Sequence, residues 1–410
     1  MHVLLPLPDH PGAPPVIGPG WAGDPEPART HAKPARRRRV AVVTGSRADF
    51  GLLRPVMAAV EAHADLDLLA IAAGAHLIPP AVSFRDVKAQ FPIADSIPMQ
   101  KPGRTTRPDD AEALGIGISR LTRSYASLEP DWVVVLGDRI EAFAAAAAAN
   151  VGGWALAHLH GGDRAEGVAD ESMRHAISKL AHLHLPATQA SAERLVRMGE
   201  KPEHVHVVGS PAIDDLAAFE PMPEADYAEL GSPRAVVLLH PTGRPHEAEE
   251  HVTANLLDAL AALKIKPVVL APNHDPGRAG VLRMLKERGQ EIEPHRPRAW
   301  FVSLLKRVAT ADGVLVGNSS AGLIEAPALG CRVVDIGPRQ NGRERPASVL
   351  HADDQSAQAI ERTILDTLAA PPPNAGDHPY GDGSTGVRVA SLLASVDPNT
   401  RGVLSKLNAY

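Results

Sequence analysis

Side chains that can exchange protons are concentrated in one short stretch of the chain, HLHGGDRAEGVADESMRHAISKLAHLH (158–184). The residues WALAHLH (154–160) alternate and are mostly apolar, which predicts a strand that ends at a double glycine. Apolar spacing from about Asp170 predicts a helix directly afterwards. Ionisable groups thus collect at the carboxyl end of a strand, where open α/β sheets bind ligands. This composition favours general acid–base catalysis.

Spacing within the stretch predicts which side chains are neighbours. His158 and His160 are two residues apart on the predicted strand, so we expect them on the same face. On the helix, Arg174 and His175 lie three and four residues after an acidic residue and can therefore meet it. An ordinary capped helix, with Asp170 as N-cap and Arg174 in a surface pair, is the alternative. A cap requires neither the histidines nor the double glycine, so the catalytic interpretation is preferred.

Two other strand-to-helix turns carry groups that can hold an anion. TGSRADFGLL (44–53) frees backbone amides at a helix start, and Arg47 adds a cation that can bind a carboxylate or phosphate. This turn matches neither GxGxxG nor GxxxxGKS/T, so a plain helix start is an equal alternative. GDR (137–139) ends a hydrophobic strand and brings Asp138 and Arg139 to the same sheet edge, unless they simply pair to close the loop.

A third turn, GNSSAGLIEAPALG (317–330), offers hydroxyls and amides at a predicted helix start. Ser319 and Ser320 open this helix directly after a strand, and Glu325 lies one turn further on. Because a carboxylate repels phosphate, we expect Glu325 to meet a hydroxylated part of a ligand, such as a ribose. Plain helix capping is the alternative at this turn.

Weaker polar signals follow three other predicted strands, in HPTG at His240, PNHDPG at Asn273 and IGPRQNGRERP at Arg339. Each alone is more often a loop than a ligand contact, but all three fall on one sheet edge. The clustered histidines also suggest a metal site, yet H-x-H without HExxH or CxxC is not a zinc signature, so no metal is predicted. The absence of a GxSxG elbow argues against a serine hydrolase.

Alternating strands and helices position these turns. From Arg39 the chain reads RVAVVT, a helix from Asp49, LDLLAIAAG, a helix from about Asp110, and DWVVVLG, which predicts parallel strands with right-handed crossovers. An acidic, proline-punctuated segment precedes a second half with the same pattern, so the predicted class is α/β with two doubly wound domains around a cleft. The predicted parts are a disordered leader (1–38), a first domain (39–212), a second domain (213–385) and a final helical segment (386–410).

Composition excludes several classes of protein. The chain has 410 residues, too many for one small core, and its net charge of −6 argues against nucleic acid as the main partner. The single cysteine, Cys331, excludes an internal disulfide and a thiolate metal cage, so a reducing, cytoplasmic location is expected. No apolar run approaches the roughly eighteen residues of a membrane helix, and the proline-broken start does not read as a signal peptide.

In order and spacing, these motifs resemble the hydrolysing UDP-N-acetylglucosamine 2-epimerases. The match runs from about Val40 to Gly386, through TGSRADFGLL, LGDRIEAF, HLHGGD, ADESMRHAISKLAHLHLPAT, VGSPAID, HPTG, PNHDPGR, GNSSAGLIEAPALG and IGPRQNGRERP. The resemblance implies a GT-B-like pair of Rossmann-like domains, a final helix that crosses back to the first domain, and a homo-oligomer such as a dimer or tetramer. It implies neither metal nor NAD.

The resemblance also implies a reaction and its residues. The proton at carbon 2 of the sugar is removed, UDP leaves carbon 1 to give a 2-acetamidoglucal, and water adds to give N-acetylmannosamine, a precursor of sialic acid. The sugar-side residues would be Asp138, His160, Asp163, Asp170, Arg174 and His175. The residues in contact with UDP would be Arg47, Arg139, His240, Asn273, Ser319, Ser320, Glu325 and Arg339.

Two positions depart from the usual pattern of that family. Many members have Glu where this chain has His160, and Asp163 is one methylene shorter than the usual Glu. His160 is therefore a candidate base, and the HGG form resembles relatives that act on a 2,4-diacetamido-2,4,6-trideoxy sugar on the way to legionaminic acid. A GT-B glycosyltransferase and a catalytically silent UDP-sugar-binding protein are the alternatives, because a fold does not fix its chemistry.

Overall fold

The computed structural model of the protein describes residues 36–79, 83–104, 106–164, 171–273, 275–294 and 296–400, with Leu404, Lys406, Leu407 and Ala409. Most of the predicted leader and the predicted catalytic residue Asp170 lie outside these residues. The strands are β1 (Arg38–Thr44), β2 (Leu66–Ala73), β3 (Ile93–Ile97), β4 (Trp132–Leu136), β5 (Ala155–Leu159), β6 (Leu183–Leu185), β7 (Ala235–Leu238), β8 (Pro267–Leu270), β9 (Ile292–Glu293), β10 (Val314–Gly317), β11 (Arg332–Ile336) and β12 (Val349–Ala352). The helices are α1 (Arg47–Ala62), α2 (Phe84–Lys88), α3 (Arg107–Leu128), α4 (Ile140–Gly152), α5 (Glu171–Leu180), α6 (Gln189–Arg197), α7 (Glu224–Glu229), α8 (His246–Ala262), α9 (Arg278–Glu287), α10 (Arg298–Thr310), α11 (Ser320–Leu323), α12 (Glu325–Ala328), α13 (Ala357–Ala369) and α14 (Thr385–Ser395).

The strands form two six-stranded parallel sheets with the same topology. The first sheet has the order β3-β2-β1-β4-β5-β6 and the second has the order β12-β11-β10-β7-β8-β9. Counted from its own first strand, the second order repeats the first, which is the order of a Rossmann-like doubly wound unit. The predicted α/β fold with two such units is therefore confirmed. The direction of winding reverses between β1 and β4 and between β7 and β10, and ligand crevices form at such switch points.

Continuous apolar runs explain why the central strands are covered on both faces. β4 reads WVVVL and β5 reads ALAHL, and every residue of both strands is buried. Strands with two buried faces read as unbroken apolar runs rather than alternating ones. Helices α1 and α14 pack on one face of the first sheet, and α3 and α4 pack on the other. Within the part of the chain that the structure describes, no helix has the length and apolarity to cross a membrane.

The predicted return of the final helix to the first domain is confirmed. Val389, Ala390 and Leu393 of α14 belong to the same buried cluster as α1. The carboxylate of Asp214 accepts hydrogen bonds from the amides of Thr385 and Gly386 at 3.1 and 2.7 Å, which caps the start of α14. Asp214 thus ties the beginning of the second domain to the helix that leaves it.

Arg38, which the sequence analysis assigned to the leader, is the first residue of β1 and not part of a solvated charge cluster. Its guanidinium donates to the carbonyls of Leu393 and Val396 at 3.0 and 2.9 Å, at the end of α14. Cations are stabilising at helix C-termini, where backbone carbonyls lack partners. Arg38 therefore contributes to the attachment of α14.

The helix predicted from Ser320 is interrupted and forms α11 and α12. Pro327 has no amide hydrogen to donate to Leu323, and its ring would clash with that carbonyl in a continuous helix. The chain therefore breaks at Ile324, between the two four-residue helices. The N-terminal dipole available at Ser319 and Ser320 is correspondingly smaller than the sequence suggested.

The contact between α14 and α1 requires a glycine. A Cβ at Gly386 would lie 2.5 Å from the carbonyl oxygen of Pro55 and 2.9 Å from its carbon. We expect Gly386→Ala to destabilise the protein by about 1–3 kcal/mol, because neither backbone can yield without moving a helix. Gly115→Ala is the control, since its Cβ would meet nothing within 4 Å on the exposed side of α3, and it should stabilise by up to about 1 kcal/mol. Calorimetric unfolding measures both, and equal melting temperatures for the two variants would contradict the prediction.

Candidate active site

Four of the predicted catalytic residues form one connected cluster at the carboxyl edge of the first sheet. Asp138 follows β4, His160 and Asp163 follow β5, and Arg174 lies on α5. Nδ1 of His160 is 2.7 Å from Oδ2 of Asp163. Arg174 pairs with Asp138, and its Nη1 is 3.8 Å from Oδ2 of Asp163. The side chains therefore contact one another in the order His160, Asp163, Arg174 and Asp138, so that the guanidinium lies between the two carboxylates.

The backbone at His160 explains how this imidazole reaches Asp163. β5 ends at Leu159, and His160 has a φ of 59°, in the left-handed region that few residue types other than glycine adopt. The strand alternation that would place His158 and His160 on one face therefore does not extend to His160. Nε2 of His160 lies 3.1 Å from Oγ of Ser210. Backbone strain of this kind is concentrated at functional sites.

Asp163 is ionised although its side chain is only 1 % exposed. Its Oδ1 accepts a hydrogen bond from Oγ of Ser191 at 2.8 Å. Burial by itself raises the pKa of Asp163, but the neighbouring His160, Arg343 and Arg174 outweigh it and lower the pKa below its ordinary range. Because the carboxylate can only accept, Nδ1 of His160 carries the proton in this pair, and Nε2 is the basic nitrogen.

Arg174 supplies the positive charge between the two carboxylates. Burial by itself lowers the pKa of Arg174, but Asp138 and Asp163 raise it above its ordinary value, so the guanidinium stays charged. The C-terminal end of α5, the helix that carries Arg174, is bound by Lys406. Nζ of Lys406 donates to the carbonyls of Ser178 and Ala181 at 2.9 and 2.5 Å. The position of Arg174 thus depends on the C-terminal segment of the chain.

The other predicted catalytic residue within the described part of the chain, His175, does not join this cluster. Its Nε2 lies 3.4 Å from Oε1 of Glu171, and its buried Nδ1 has no hydrogen-bond partner among the described residues. Asp170, the other predicted catalytic residue near it in sequence, lies outside the described residues. The proposed place of His175 beside the sugar therefore stays a prediction.

The remaining histidines of the stretch support the sheet. Nε2 of His158 donates to the carbonyl of Gly137 at 2.8 Å, and burial lowers the pKa of His158 to about 3, so the ring is neutral. Nδ1 of His182 accepts from the amide of Leu156 at 3.0 Å, and burial lowers its pKa to about 4. His158 thereby fixes the turn that carries Asp138. No cluster of three or more His, Cys, Asp or Glu suited to a metal occurs among the described residues.

In the second domain, Asn318 joins three of the predicted nucleotide-binding residues. Its Oδ1 accepts from the amide of His240 at 2.7 Å, and its Nδ2 donates to the carbonyl of His240 at 2.8 Å. Nη1 of Arg339 donates to the carbonyl of Asn318 at 3.2 Å, and the amide of Asn273 donates to Nδ1 of His240 at 3.2 Å. These residues follow β7, β8, β10 and β11. They therefore meet at the switch point of the second sheet.

The turn from Arg339 to Arg345 contains buried donors without acceptors. The Nε atoms of Arg339, Arg343 and Arg345 are buried and have no hydrogen-bond partner among the described residues. Buried polar atoms in native proteins are nearly always paired, so three such donors on one turn require an explanation. Arginine donors suit the oxygen atoms of a phosphate. The turn is therefore the strongest candidate for the diphosphate contact.

Glu325 and the two predicted serines are arranged differently from the sequence-based expectation. Ser319 caps α11, because its Oγ accepts from the amide of Ala321 at 3.3 Å, and Ser320 begins that short helix. Glu325 is buried in an ion pair with Arg298. A ribose contact of Glu325 stays a prediction, and it would have to share this carboxylate with Arg298.

The two predicted UDP contacts of the first domain, Arg47 and Arg139, are exposed at the starts of α1 and α4. The turn before Arg47 is rigid, because Ser46 and Asp49 form a reciprocal capping box. Nε of Arg139 lies 3.5 Å from Oε2 of the buried Glu141. Both guanidinium groups therefore stand beside the switch point between β1 and β4.

Four residues of the two clusters were missed by sequence reasoning. Ser191 and Ser210 hydrogen-bond to the His160–Asp163 pair, Asn318 links the nucleotide turns, and Arg298 pairs with Glu325. Asn318 and Ser210 lie inside the recognised motifs GNSS and VGSPAID, which was an available signal. Ser191 and Arg298 have no local signal, since they begin ordinary helical turns far from their partners.

The chain is similar in sequence to known epimerases. A family model described as UDP-N-acetylglucosamine 2-epimerase matches residues 58–394. UDP-N,N'-diacetylbacillosamine 2-epimerase (hydrolyzing) of Legionella pneumophila is 34% identical over 384 residues, covering 91% of this chain and 100% of the relative. UDP-N-acetylglucosamine 2-epimerase of Neisseria meningitidis serogroup B is 33% identical over 337 residues, covering 79% and 86%.

Solved structures share the two-domain fold. The complex of MnaA from S. aureus with UDP has a TM-score of 0.70 at 19% identity, covering 87% of this chain and 96% of that one. UDP-GlcNAc 2-epimerase from Neisseria meningitidis bound to UDP-GlcNAc has a TM-score of 0.68 at 18% identity, covering 87% and 99%. The predicted GT-B-like arrangement of two Rossmann-like domains is thereby confirmed.

Arg174 is the cation that compensates both carboxylates of the cluster. We expect Arg174→Met to destabilise the protein by about 3–5 kcal/mol at pH 7, because it leaves buried charge unpaired. In the wild type, the lowered pKa of Asp163 contributes stability above its unfolded value of about 3.9, and this contribution is lost as the pH falls through the folded value. Without Arg174 the pKa of Asp163 rises, so the deficit of the variant should shrink as the pH falls towards 4.

Denaturant unfolding at several pH values measures this difference. Arg197→Met is the control, because Arg197 is an exposed arginine at the end of α6. It should change neither the stability nor its pH dependence by more than about 0.5 kcal/mol. A deficit of Arg174→Met that grew on acidification would reject the assigned charge arrangement.

Proposed function

The chain belongs to the UDP-N-acetylglucosamine 2-epimerase family, and from this premise we propose that it is a hydrolysing 2-epimerase. It converts a UDP-linked 2-acetamido sugar and water into UDP and the free sugar with inverted carbon 2. The observation that carries the proposal is the buried His160–Asp163 pair beside Arg174 and Asp138. This cluster combines an oriented base with a compensated carboxylate in one crevice.

His160 is the proposed base of the first step. Nε2 takes the proton from carbon 2, the electron pair of that bond forms the double bond between carbons 1 and 2, and the bond from carbon 1 to the UDP oxygen breaks. Asp163 accepts from Nδ1 and therefore stabilises the imidazolium as it forms, as a carboxylate does for a catalytic histidine elsewhere. Oγ of Ser210 lies 3.1 Å from Nε2, so the proposed step requires that carbon 2 of the sugar displaces this hydroxyl from Nε2.

Departure of UDP is assisted by the second domain. The leaving diphosphate gains negative charge as the bond to carbon 1 breaks, and pre-positioned guanidinium groups stabilise such charge in a water-poor site. The unpaired donors of Arg339 and Arg343 are suited to this role. His240, Asn273, Ser319, Ser320 and Glu325 are proposed to hold the rest of the nucleotide, with Arg47 and Arg139 across the cleft.

Hydration of the 2-acetamidoglucal completes the reaction. Asp138 is the proposed base that takes a proton from water as the water oxygen bonds to carbon 1, because it lies at the opposite end of the cluster from His160 and is held there by Arg174. Inversion requires that carbon 2 receives its new proton on the face opposite His160. Asp170 is proposed as that acid on the resemblance alone.

We infer that the preferred sugar is the 2,4-diacetamido-2,4,6-trideoxy form. The Legionella relative, named for N,N'-diacetylbacillosamine, aligns along its whole length, and the HGG form of the motif contains His160. UDP-N-acetylglucosamine is the second candidate, because the Neisseria relative named for it is almost equally similar.

NMR in deuterated water tests both the reaction and the sugar. Each UDP sugar is incubated with the protein in a separate tube, and UDP release and the sugar signals are followed. The expected result is a free 2-epimerised sugar with deuterium at carbon 2, formed faster from the diacetamido sugar. Binding of both sugars without UDP release would reject the epimerase and favour a transferase or a silent binding protein.

Two substitutions should separate chemistry from nucleotide binding. Asp138→Asn is expected to lower kcat by about 10²- to 10⁴-fold, the usual contribution of one acid–base group, with the Kd for UDP changed less than tenfold. Arg339→Met should instead raise the Kd for UDP by about 10- to 100-fold, since a hydrogen bond to a charged group contributes about 1.5–3 kcal/mol. Turnover measurements and calorimetric titration with UDP make each variant the control of the other. Wild-type kcat in the first variant, or unchanged UDP affinity in the second, would remove that residue from its role.

A further inference from the structure

The arginine-rich turn of the second domain also carries an acidic residue that reaches the first domain. Glu344 pairs with Nη2 of Arg194 on α6, and both side chains are mostly buried. Oε2 of Glu344 accepts from Oγ1 of Thr188, the N-cap of α6, at 3.2 Å. The hydroxyl of buried Tyr380 donates to the carbonyl of Glu344 at 2.5 Å, which fixes its backbone. One carboxylate therefore contacts both the N-cap and the second turn of α6.

Arg194 and Thr188, the two residues that Glu344 contacts, are also connected to the turn that carries His160 and Asp163. Nη1 of Arg194 donates to the carbonyl of Gly162 at 3.0 Å, within the turn between His160 and Asp163. Oγ1 of Thr188 accepts from the amide of Ser191 at 3.1 Å, and Oγ of Ser191 donates to Asp163 at 2.8 Å. Glu344 is thus connected to the His160–Asp163 pair through the backbone and through a side chain.

Glu344 lies on the same short turn as the proposed diphosphate contacts. Arg343 is the preceding residue, and Arg339 begins the turn. The charge of Arg343 is close enough to contribute to the ionisation of Asp163. A ligand that pairs with these arginines therefore acts on a segment that already touches the catalytic turn of the other domain.

We propose that Glu344 is a positioning residue that couples occupation of the diphosphate site to the orientation of the His160–Asp163 pair. An anion bound by the turn holds Glu344 against Arg194 and Thr188, and these two fix Gly162 and Ser191 around Asp163. Coupling of this kind needs an element with two arrangements that both sites bias, and the proposal assigns this role to the contact of Glu344 with Arg194 and Thr188. The ligand is a UDP sugar if the proposed function holds, so that part of the inference rests on it.

An ion pair that merely joins the domains would behave differently, and the chain contains one for comparison. Nη2 of Arg54 on α1 lies 3.1 Å from Oδ2 of Asp215, and these side chains are 35% and 50% exposed. No described contact connects this pair to the His160–Asp163 pair. Asp215→Asn is a suitable control, because asparagine tolerates the positive φ of 63° found there.

The first test compares Glu344→Gln with Asp215→Asn in turnover. We expect Glu344→Gln to lower kcat about 5- to 150-fold, the usual range of a coupling energy between sites, with little change in KM, and Asp215→Asn to leave both unchanged. Arg194→Met should lower kcat similarly, and the double variant should lose less than the product of the two single losses, since both substitutions break the pair between Glu344 and Arg194. Equal losses in Glu344→Gln and Asp215→Asn, or additive losses in the double variant, would overturn the proposal.

The second test does not require turnover and uses UDP itself as the probe. In protein labelled with ¹⁵N-histidine, UDP should shift the imidazole signals of His160, assigned by their loss in His160→Gln. Glu344→Gln should abolish this shift while calorimetry still detects UDP binding. The same shift in Glu344→Gln, or no shift in the wild type, would overturn the coupling. Failure of both sugars to react would instead reject the proposed function and leave this readout intact.

Discussion

Asp163 is ionised at a place that solvent barely reaches, and the arrangement of the site follows from how that charge is compensated. Transfer of a carboxylate from water to a protein interior costs roughly several kcal/mol, even after the protein relaxes around it. Cations and hydrogen-bond donors must replace the lost hydration. The compensation comes from His160 in its own turn, Ser191 on α6, Arg174 on α5 and Arg343 in the second domain. Four separate segments of the chain must therefore be correctly positioned to stabilise one carboxylate. The requirement that stabilises Asp163 also orients the imidazole beside it.

The two domains repeat one topology but supply different chemistry at equivalent positions. At the edge of the first sheet the turns carry carboxylates and an imidazole, which can move protons over short, fixed distances. At the edge of the second sheet they carry Asn318, His240 and the arginines of the 339–345 turn, which can hold an anion. Both groups of residues lie at the carboxyl ends of parallel strands, which is where open α/β sheets bind ligands. In the proposed mechanism the second domain binds the diphosphate and the first domain moves the protons, so the mechanism requires the two domains to face each other.

The sequence predicts the features that depend on local pattern. The buried runs of β4 and β5 and the alternation of strands and helices were predictable, because apolar periodicity and turn residues act over short distances. The return of α14 to the first domain is a long-range contact, and it was expected only from the family resemblance. Pro327 itself indicates a break in the helix predicted from Ser320, although one continuous helix was predicted there. The turn after β5 was harder to predict, because the left-handed conformation of His160 and its contacts with Asp163 and Ser210 interrupt the strand alternation.

Contacts between distant segments were not predictable from one sequence. Arg194 and Glu344 are separated by 150 residues, and nothing near either residue marks the other as its partner. Assignment of His158 as a support of the Gly137 turn likewise needed the structure, since in sequence it is indistinguishable from His160. The acceptor distinguishes the two rings, because His158 donates to a backbone carbonyl and His160 donates to a carboxylate.

The charge arrangement has a consequence for the order of the proposed steps. Before reaction, Arg174 is shared between Asp138 and Asp163. When Nε2 of His160 takes the proton from carbon 2, the imidazolium and Asp163 become an ion pair, and Asp163 then needs Arg174 less. Arg174 is then left mainly to Asp138, the carboxylate proposed to act in the hydration step. In the proposed mechanism a single guanidinium therefore serves the carboxylate of each half-reaction in turn.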